Sequence, residues 1–504
     1  MDIIKLIDLM CKMTGSLWVS QITLKQEAMK RHVSLDGLKE LVKKNAVFFC
    51  NYEDAGYFTT AQAAITENVI ANNIIRILSA RPFYLAESVI NKKIDLYEQE
   101  NQLKLDEMQR KAVVTAVKHN LCIVTGGPGT GKTAVIKCIS YVLSALLPKQ
   151  TISFAAPTGK AAKRITESTG QPAVTLNSDL CIGINEYSPK PIYDEISIVD
   201  EFSMVDAYLA AALFSSIQTG NRLIICGDVD QLPSVGPGCV LLDMITSGVV
   251  PCVMLTKTFR QDTNSVLFEN ISKIKEGRTD LKNGPDFQMY KVGQAPIDQL
   301  RRLYVQLVRE TNPKTGKPYG VYDVGCLIPF RRAGVICSDN LNRSIQERCN
   351  TNDAVDFYGR TFKLYSPVIQ MANRPGVANG DTGKIVGIDK NELKVNFGDC
   401  EVTYDSDSVW QIELAHAISI HKSQGSEYPA VIMALTNEHT VSCNRNIFYT
   451  GITRAKQRCV LLYEDEALKI AASRNGNSER KTMLCEKIKY VWQRYQLVKH
   501  NSPA

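Results

Sequence analysis

The segment Cys122–Thr133, Cys-Ile-Val-Thr-Gly-Gly-Pro-Gly-Thr-Gly-Lys-Thr, constrains this chain more than any other. Leu121 to Thr125 is a short apolar, β-branched run and reads as a buried strand. A glycine-dense turn follows, and Ala134 to Leu147 then carries Val135, Ile139 and Val142 at helical spacing. Gly126, Gly131, Lys132 and Thr133 fit the spacing of a phosphate-binding loop. Its glycines let successive backbone N–H groups turn inward around a phosphate, where a Cβ would collide. The following helix points the positive end of its dipole at the same anion. Lys132 is expected to reach the β- and γ-phosphates, and the Thr133 hydroxyl to hold Mg²⁺. Gly127, Pro128, Gly129, Thr130 and Gly131 are expected to line the nucleotide, which makes ATP and Mg²⁺ the expected ligands.

A chain of 504 residues is too long for one core and predicts several domains. The net charge of +7 is compatible with a polyanionic partner without demanding one. No apolar run approaches the roughly 20 residues that cross a bilayer, so no membrane partner is expected. The N-terminus, Met1 to Lys5, has amphipathic spacing and early charge, with no signal-peptide cleavage pattern. Fifteen cysteines are scattered without C-x-x-C pairs, mostly in apolar runs such as those of Cys122, Cys226, Cys252 and Cys459. That usage predicts buried thiols in a reducing, cytoplasmic compartment, a nucleoid or a host-cell cytoplasm.

Residues before Pro82 carry no nucleotide signal. Ile22–Arg31 and Val33–Lys44 read as amphipathic helices, Ala46–Cys50 and Tyr57–Thr60 as a hairpin, and Glu67–Leu78 as a helix. This outline of a winged helix suits either nucleic acid or a protein partner. From about Ile94 strands and helices alternate, the signature of a parallel sheet covered on both faces. Gln109, on a helix before the loop, can pair donor and acceptor with an adenine edge. Ile152–Ala156 is a second strand, followed by Pro157, Thr158, Gly159, Lys160 and a basic run to Arg164 that could grip a phosphate backbone. Glu195–Val199 leads into the adjacent carboxylates Asp200, a Mg²⁺ ligand, and Glu201, the group expected to deprotonate the attacking water. Leu223–Asp228 ends in a Gly/Pro loop that holds Gln231 where a γ-phosphate could be sensed.

The ordered set of segments resembles the RecD-like branch of the superfamily 1 DNA helicases. It comprises Thr125–Thr133, Ala156–Ala162, Asp200–Met204, Gly227–Gly238, Leu255–Gln261, Leu327–Arg332, Asn379–Gly383, Ala417–Glu427 and Tyr449–Lys456. The resemblance runs from about residue 95 to 465 and implies two RecA-like motor domains with ATP between them. It implies that Arg260 and Arg454 reach the γ-phosphate from the second motor domain, where a guanidinium stabilises charge on the transferred phosphoryl. It also implies that Gly425 and Glu427 meet the nucleotide, and that Pro157, Thr158, Lys160, His421, Lys422, Ser423 and Gln424 line a track for single-stranded DNA. By resemblance alone the motor moves 5′ to 3′ and acts at junctions of single- and double-stranded DNA.

Short strands with Gly and Asp turns between Asn342 and Trp410 suggest a small barrel, similar to the SH3-like insertion of related helicases. Glu413–Ile420 reads as one further strand before His421, and the chain after Glu466 as basic helix. Thr175-Leu176-Asn177 replaces the family's Thr-x-His, and Ile165–Asp194 is short for an inserted pin domain. The expected fold is therefore α/β. It comprises an N-terminal helical, winged-helix-like domain over 1–92, motor domain 1 over 93–253, motor domain 2 over 254–340 and 412–504, and an SH3-like β insertion over 341–411. The expected function is an ATP-dependent DNA helicase. Two alternatives stay open: a motor that remodels RNA or nucleoprotein, and an ATP-gated DNA-binding subunit of a larger recombination or repair complex.

Overall fold

The computed structural model describes residues 1–80, 85–180, 189–259, 265–398 and 400–501. Arg260 and part of the Ile165–Asp194 stretch lie outside the described residues.

Two parallel sheets organise the chain. The first has six strands in the order Ala173–Thr175, Ile152–Ala156, Ile196–Val199, Arg222–Gly227, Leu121–Gly126, Cys252–Leu255. Leu121–Gly126 and Arg222–Gly227 are buried at every position, as strands with helices on both faces require. Alternation then sorts their side chains. Leu121, Ile123, Leu223 and Ile225 meet the helices Ala61–Ser79 and Ala207–Ser216 on one face. Cys122, Val124, Ile224 and Cys226 meet Glu107–Lys118 and Lys132–Leu146 on the other. The second sheet has the order Phe287–Lys291, Ala455–Tyr463, Tyr428–Leu435, Val324–Ile328, Ala417–Ser419, again all parallel.

Between Val324–Ile328 and Ala417–Ser419 the chain builds a hairpin, Ala354–Phe357 with Arg360–Lys363, and a five-stranded antiparallel sheet. The expected strand Glu413–Ile420 is two strands in two sheets. Ile412–Leu414 pairs with Pro367–Gln370 of the antiparallel sheet, and Ala417–Ser419 joins the second parallel sheet. Asn342 fixes this crossing: its Nδ2 donates to Leu414 O (2.9 Å) and Ala417 O (2.8 Å), and its Oδ1 accepts from Ala417 N (2.8 Å). A continuous apolar run cannot reveal such a crossing, because both halves are equally buried.

The first residues form an unexpected helix, Ile3–Thr14, capped by the Asp2 carboxylate. Gln21–Lys30 is helical as expected, whereas the second helix is only Leu38–Lys43. The hairpin Val47–Tyr52 with Ala55–Thr60 turns through Glu53 (φ 48°) and Asp54 (φ 61°), a two-residue turn with both central φ positive. Val19–Ser20 adds a third strand on the Ala55–Thr60 side. Helix Ala61–Ser79 then leaves this unit to pack on the first sheet.

Three of the four expected domain boundaries cut an element, and the fourth splits the last strand from the insertion. Residue 92 falls inside helix Glu87–Glu100, which packs with the first sheet's helices; 253 falls inside strand Cys252–Leu255. Residue 340 falls inside helix Ser338–Cys349, whose Leu341 and Ile345 join the second sheet's core; 411 precedes the insertion's last strand. The final helix, Leu484–Asn501, does not rest on the second sheet. It packs against Ala61–Ser79 and Val240–Ser247. Fully buried Glu67 anchors it, accepting from Trp18 Nε1 (3.0 Å), Met483 N (2.8 Å) and Lys487 Nζ (3.1 Å).

Candidate active site

The phosphate loop is shaped by its glycines and by one buried amide. Gly129 (φ 75°) and Gly131 (φ 80°) are left-handed, and Gly131 caps helix Lys132–Leu146. A Cβ on Gly131 would lie 2.3 Å from Gln109 Nε2, so a side chain there would displace the loop or Gln109. Gln109 is itself committed. Its Oε1 accepts from Asp106 N (3.0 Å) in a capping box, and its Nε2 donates to Thr130 O (3.0 Å). The residue expected on adenine thus braces the loop, leaving one amide proton and one lone pair for a base. Gly127 and Thr130 are joined by Thr130 Oγ1 to Gly127 O (2.8 Å), and Phe259 N donates to Gly129 O (2.8 Å). The Lys132 ammonium folds into the hollow, donating to the Gly126 carbonyl and to Gly127 O (3.3 Å).

Thr133, Asp200, Glu201 and Arg164 line one cavity. Asp200 Oδ1 accepts from Glu201 N (2.8 Å), and Glu201 is left-handed (φ 53°), a conformation that costs a residue with a Cβ. Burial and the neighbouring Asp200 push the Glu201 carboxyl up, against the pull of Arg454, Lys132 and Arg164. A nucleotide phosphate and Mg²⁺ fit this donor set: an ammonium, a hydroxyl and a carboxylate around a glycine cradle that a Cβ would fill. Among the described residues no three His, Cys, Asp or Glu side chains converge as a metal cage. Mg²⁺ held by one or two protein groups plus phosphates needs none.

The second half approaches this cavity from the end of helix Arg445–Thr453 and from the turn before strand Tyr428–Leu435. Arg454 is buried, and its guanidinium donates to Thr450 O (3.1 Å), Ser426 O (3.1 Å) and Thr453 Oγ1 (3.4 Å). Glu427 pairs with Arg164 of the first half (2.8 Å) and with Lys456 (3.2 Å). Gly425 (φ 74°) rests on the start of helix Gly159–Thr169, where a Cβ would sit 3.6 Å from Ala161 and Thr158. Tyr449 would be 2.9 Å from a Cβ on Gly127, and its hydroxyl donates to Asp228 Oδ2 (3.1 Å). Gln231 is buried, and its Nε2 donates to the same oxygen, Asp228 Oδ2 (3.2 Å).

The expected strand track divides. Pro157, Thr158 and Lys160 lie at the start of helix Gly159–Thr169, with Thr158 capping it (Ala161 N to Thr158 Oγ1, 3.3 Å). His421 is exposed and Lys422 half-buried, its ammonium on Asn379 Oδ1 (2.9 Å). Ser423 and Gln424 depart from expectation. Both are buried, with Ser423 Oγ on Ile420 O (2.7 Å) and Gln424 Nε2 on Leu232 O (3.2 Å) across the cleft. The 3₁₀ turn Ile420–Ser423 turns both inward instead of toward a strand, and Gln424 ties the two halves together. A loop of the insertion closes the track's other side: Ala378 sits where a Cβ on Gly159 would come within 2.3 Å, and Asp381 faces Lys160.

Tyr449 and Asp228 carry no role in the sequence reading, although both fall in the quoted segments, and Arg164 appears there only as the end of a basic run. Arg164 carried a signal: four residues beyond Lys160, it shares that residue's helical face.

The "AAA domain" family model matches residues 109–237, and the "UvrD-like helicase C-terminal domain" model matches 414–462. An ATP-dependent RecD2 DNA helicase from Deinococcus radiodurans is 30% identical over 393 residues, which cover 76% of this chain and 52% of that protein. The chain therefore spans about half the length of that relative. A RecBCD enzyme subunit RecD from Mycolicibacterium smegmatis is 28% identical over 451 residues, covering 82% of this chain and 79% of the relative. A crystal structure of Pif1 helicase from Candida albicans aligns with a TM-score of 0.45 at 17% identity, over 79% of this chain and all of that one. Over most of its length, this chain is similar to RecD-type DNA helicases at 28–30% identity.

Proposed function

We propose that the protein is an ATP-dependent DNA helicase whose two parallel-sheet units are RecA-like motor domains. One observation carries the reading: Arg454 and Glu427 of the second half converge on the cavity lined by Thr133, Asp200 and Glu201 of the first. The N-terminal unit is winged-helix-like and serves as a platform for DNA or a protein partner. The antiparallel insertion is SH3-like. The described cysteines are free thiols, which suits a reducing compartment, and no described helix is long and apolar enough to cross a membrane.

Gly127 to Thr133 bind the phosphates of ATP, with Lys132 moving from the loop carbonyls onto the β- and γ-phosphates. Thr133 and Asp200 would hold Mg²⁺, which would neutralise phosphate charge. Glu201 orients and deprotonates the attacking water, Gln231 senses the γ-phosphate through the loop it shares with Asp228, and Arg454 stabilises the charge that develops on transfer. Arg260 is proposed for the same task on resemblance alone. Because Glu427 and Arg454 come from the facing half, hydrolysis is tied to closure of the cleft. Lys160 and Lys422 grip the strand from opposite halves, so closure moves one grip relative to the other, in the 5′ to 3′ direction.

The test is steady-state ATP hydrolysis by the purified chain with and without single-stranded DNA, beside Glu201→Gln. Strong stimulation that the variant loses supports a DNA motor, and duplexes with 5′ or 3′ tails then give the direction. Stimulation by RNA alone favours a remodelling motor. A low rate unchanged by DNA favours the subunit of a larger complex, a reading that the mycobacterial relative's name, a RecBCD enzyme subunit, also supports.

A further inference from the structure

The loop from Asp228 to Gly238 carries Gln231 and is gripped by residues from both ends of the chain. Arg480, beyond the last strand of the second sheet, is the largest contributor. Its Nη1 donates to Ser234 Oγ (3.3 Å), Gly236 O (3.0 Å) and Gly238 O (2.9 Å), and its Nη2 to Ser234 O (2.6 Å). Gly15, at the end of the first helix, covers the guanidinium so closely that a Cβ there would lie 2.5 Å from Cζ. Its carbonyl accepts from Gly238 N (2.8 Å). Residues of the second half add to the grip: Asn477 Nδ2 donates to Val229 O (2.7 Å), and Asn446 Nδ2 to Asp230 O (3.0 Å) and Gln231 O (3.2 Å).

This loop has little regular structure of its own, so its path is set by what binds its carbonyls. A guanidinium presents its donors in a rigid plane and fixes three carbonyls at once; an ammonium on a flexible stem cannot. Arg480 touches none of the residues assigned to ATP, yet it orders the segment on which Gln231 sits. Resting on the reading of Gln231 as γ-phosphate sensor, we propose that Arg480 is a positioning residue for ATP hydrolysis. With Gly15 seated on it, it holds the sensing loop in register, so that hydrolysis depends on the N-terminal unit and the C-terminal tail staying docked together.

The experiment compares DNA-stimulated ATP hydrolysis by the full chain, wild type, with Arg480→Lys, Gly15→Ala, Gln231→Ala and the Arg480→Lys/Gln231→Ala pair. Arg480→Lys keeps the charge and removes the planar fork. Gly15→Ala leaves Arg480 in place and pushes the guanidinium off the carbonyls from a residue remote from the cleft. Each single variant is expected to lower kcat about tenfold with KM for ATP within about twofold, a loss in line with a misplaced catalytic group. In the Gln231→Ala background, Arg480→Lys is expected to cost nothing further, because both changes act through one loop. Unchanged kcat in both single variants overturns the inference. So does a full additional loss in the Gln231→Ala background, which marks a merely structural role. A wild type that hydrolyses no ATP with DNA overturns the motor reading and this inference with it; an active wild type with unaffected variants overturns this inference alone.

Discussion

Arg164 Nη2 and Glu427 Oε1 lie 2.8 Å apart, one from each parallel-sheet half, and Lys456 holds the other oxygen of the same carboxylate at 3.2 Å. The pair links the two halves beside the cavity that Asp200 and Glu201 line, where the proposed motor closes. The Arg164 side chain is 41% exposed and that of Glu427 18%, which screens the pair. A double-mutant cycle of Arg164→Ala and Glu427→Ala, read by thermal unfolding, is expected to give a coupling below ~1 kcal/mol. The coupling should shrink as salt is raised toward 1 M, where the Debye length is about 3 Å. A salt-independent coupling would mean that the contact is packing and not charge.

Lys132 and Glu201 separate binding from chemistry. With its ammonium on the carbonyls of Gly126 and Gly127, Lys132 already occupies the hollow of the loop. Lys132→Ala is expected to abolish hydrolysis and to weaken ATP binding, measured with a fluorescent nucleotide. Glu201→Gln keeps the shape and the left-handed backbone position but removes the base. It should bind ATP near normally and hydrolyse it at least about 100-fold more slowly, within the range for loss of a general base. A near-normal rate in Glu201→Gln would remove the residue from that role.

The strand track gives a prediction in salt rather than in rate. Lys160 faces Asp381 of the insertion loop, and burial lowers its pKa while that carboxylate raises it. Lys422 sits on Asn379 of the same loop. On the proposed track, strand entry exchanges these acceptors for phosphates. Lys160→Ala is expected to weaken binding of a fluorescent oligothymidylate uniformly across sequences. It should also flatten the slope of log affinity against log salt by about 0.7, the share of one single-strand phosphate. An unchanged slope would take Lys160 off the track.

Local chemistry was legible in the sequence, and long-range placement was not. The phosphate loop, its strand and its helix follow from residues within one short segment, and the structure holds them where the spacing puts them. The adjacent Asp200 and Glu201 likewise follow a strand end. Gln109 was found for its amide, yet the amide spends two of its bonds on the loop itself, which no single-sequence pattern states. Ser423 and Gln424 look like a polar run, and only the 3₁₀ turn before them turns both inward. The docking of Leu484–Asn501 on Ala61–Ser79 rests on Glu67 meeting Met483 and Lys487, contacts that join opposite ends of the chain. Periodicity within a helix says which face is apolar, and nothing about which distant helix covers it.

The same docking makes stability depend on pH. Asp243, in helix Val240–Ser247, is buried where the tail crosses, and its Oδ2 accepts from Thr482 Oγ1 (2.8 Å). Burial, with a smaller push from Glu67, raises its carboxyl from 3.8 to about 7, although the Thr482 hydrogen bond pulls the other way. The folded carboxyl therefore holds its proton more tightly than the unfolded one. Its contribution is fully present below about pH 4 and is lost as pH rises toward about 7, with a ceiling on the order of 4 kcal/mol. Asp243→Asn keeps an oxygen for Thr482 and cannot ionise. The melting temperature of the variant minus that of the wild type is expected to increase between pH 5 and pH 8. A difference that stays flat over that range would show that Asp243 is ionised in the folded protein throughout, and that the Thr482 hydroxyl outweighs the burial.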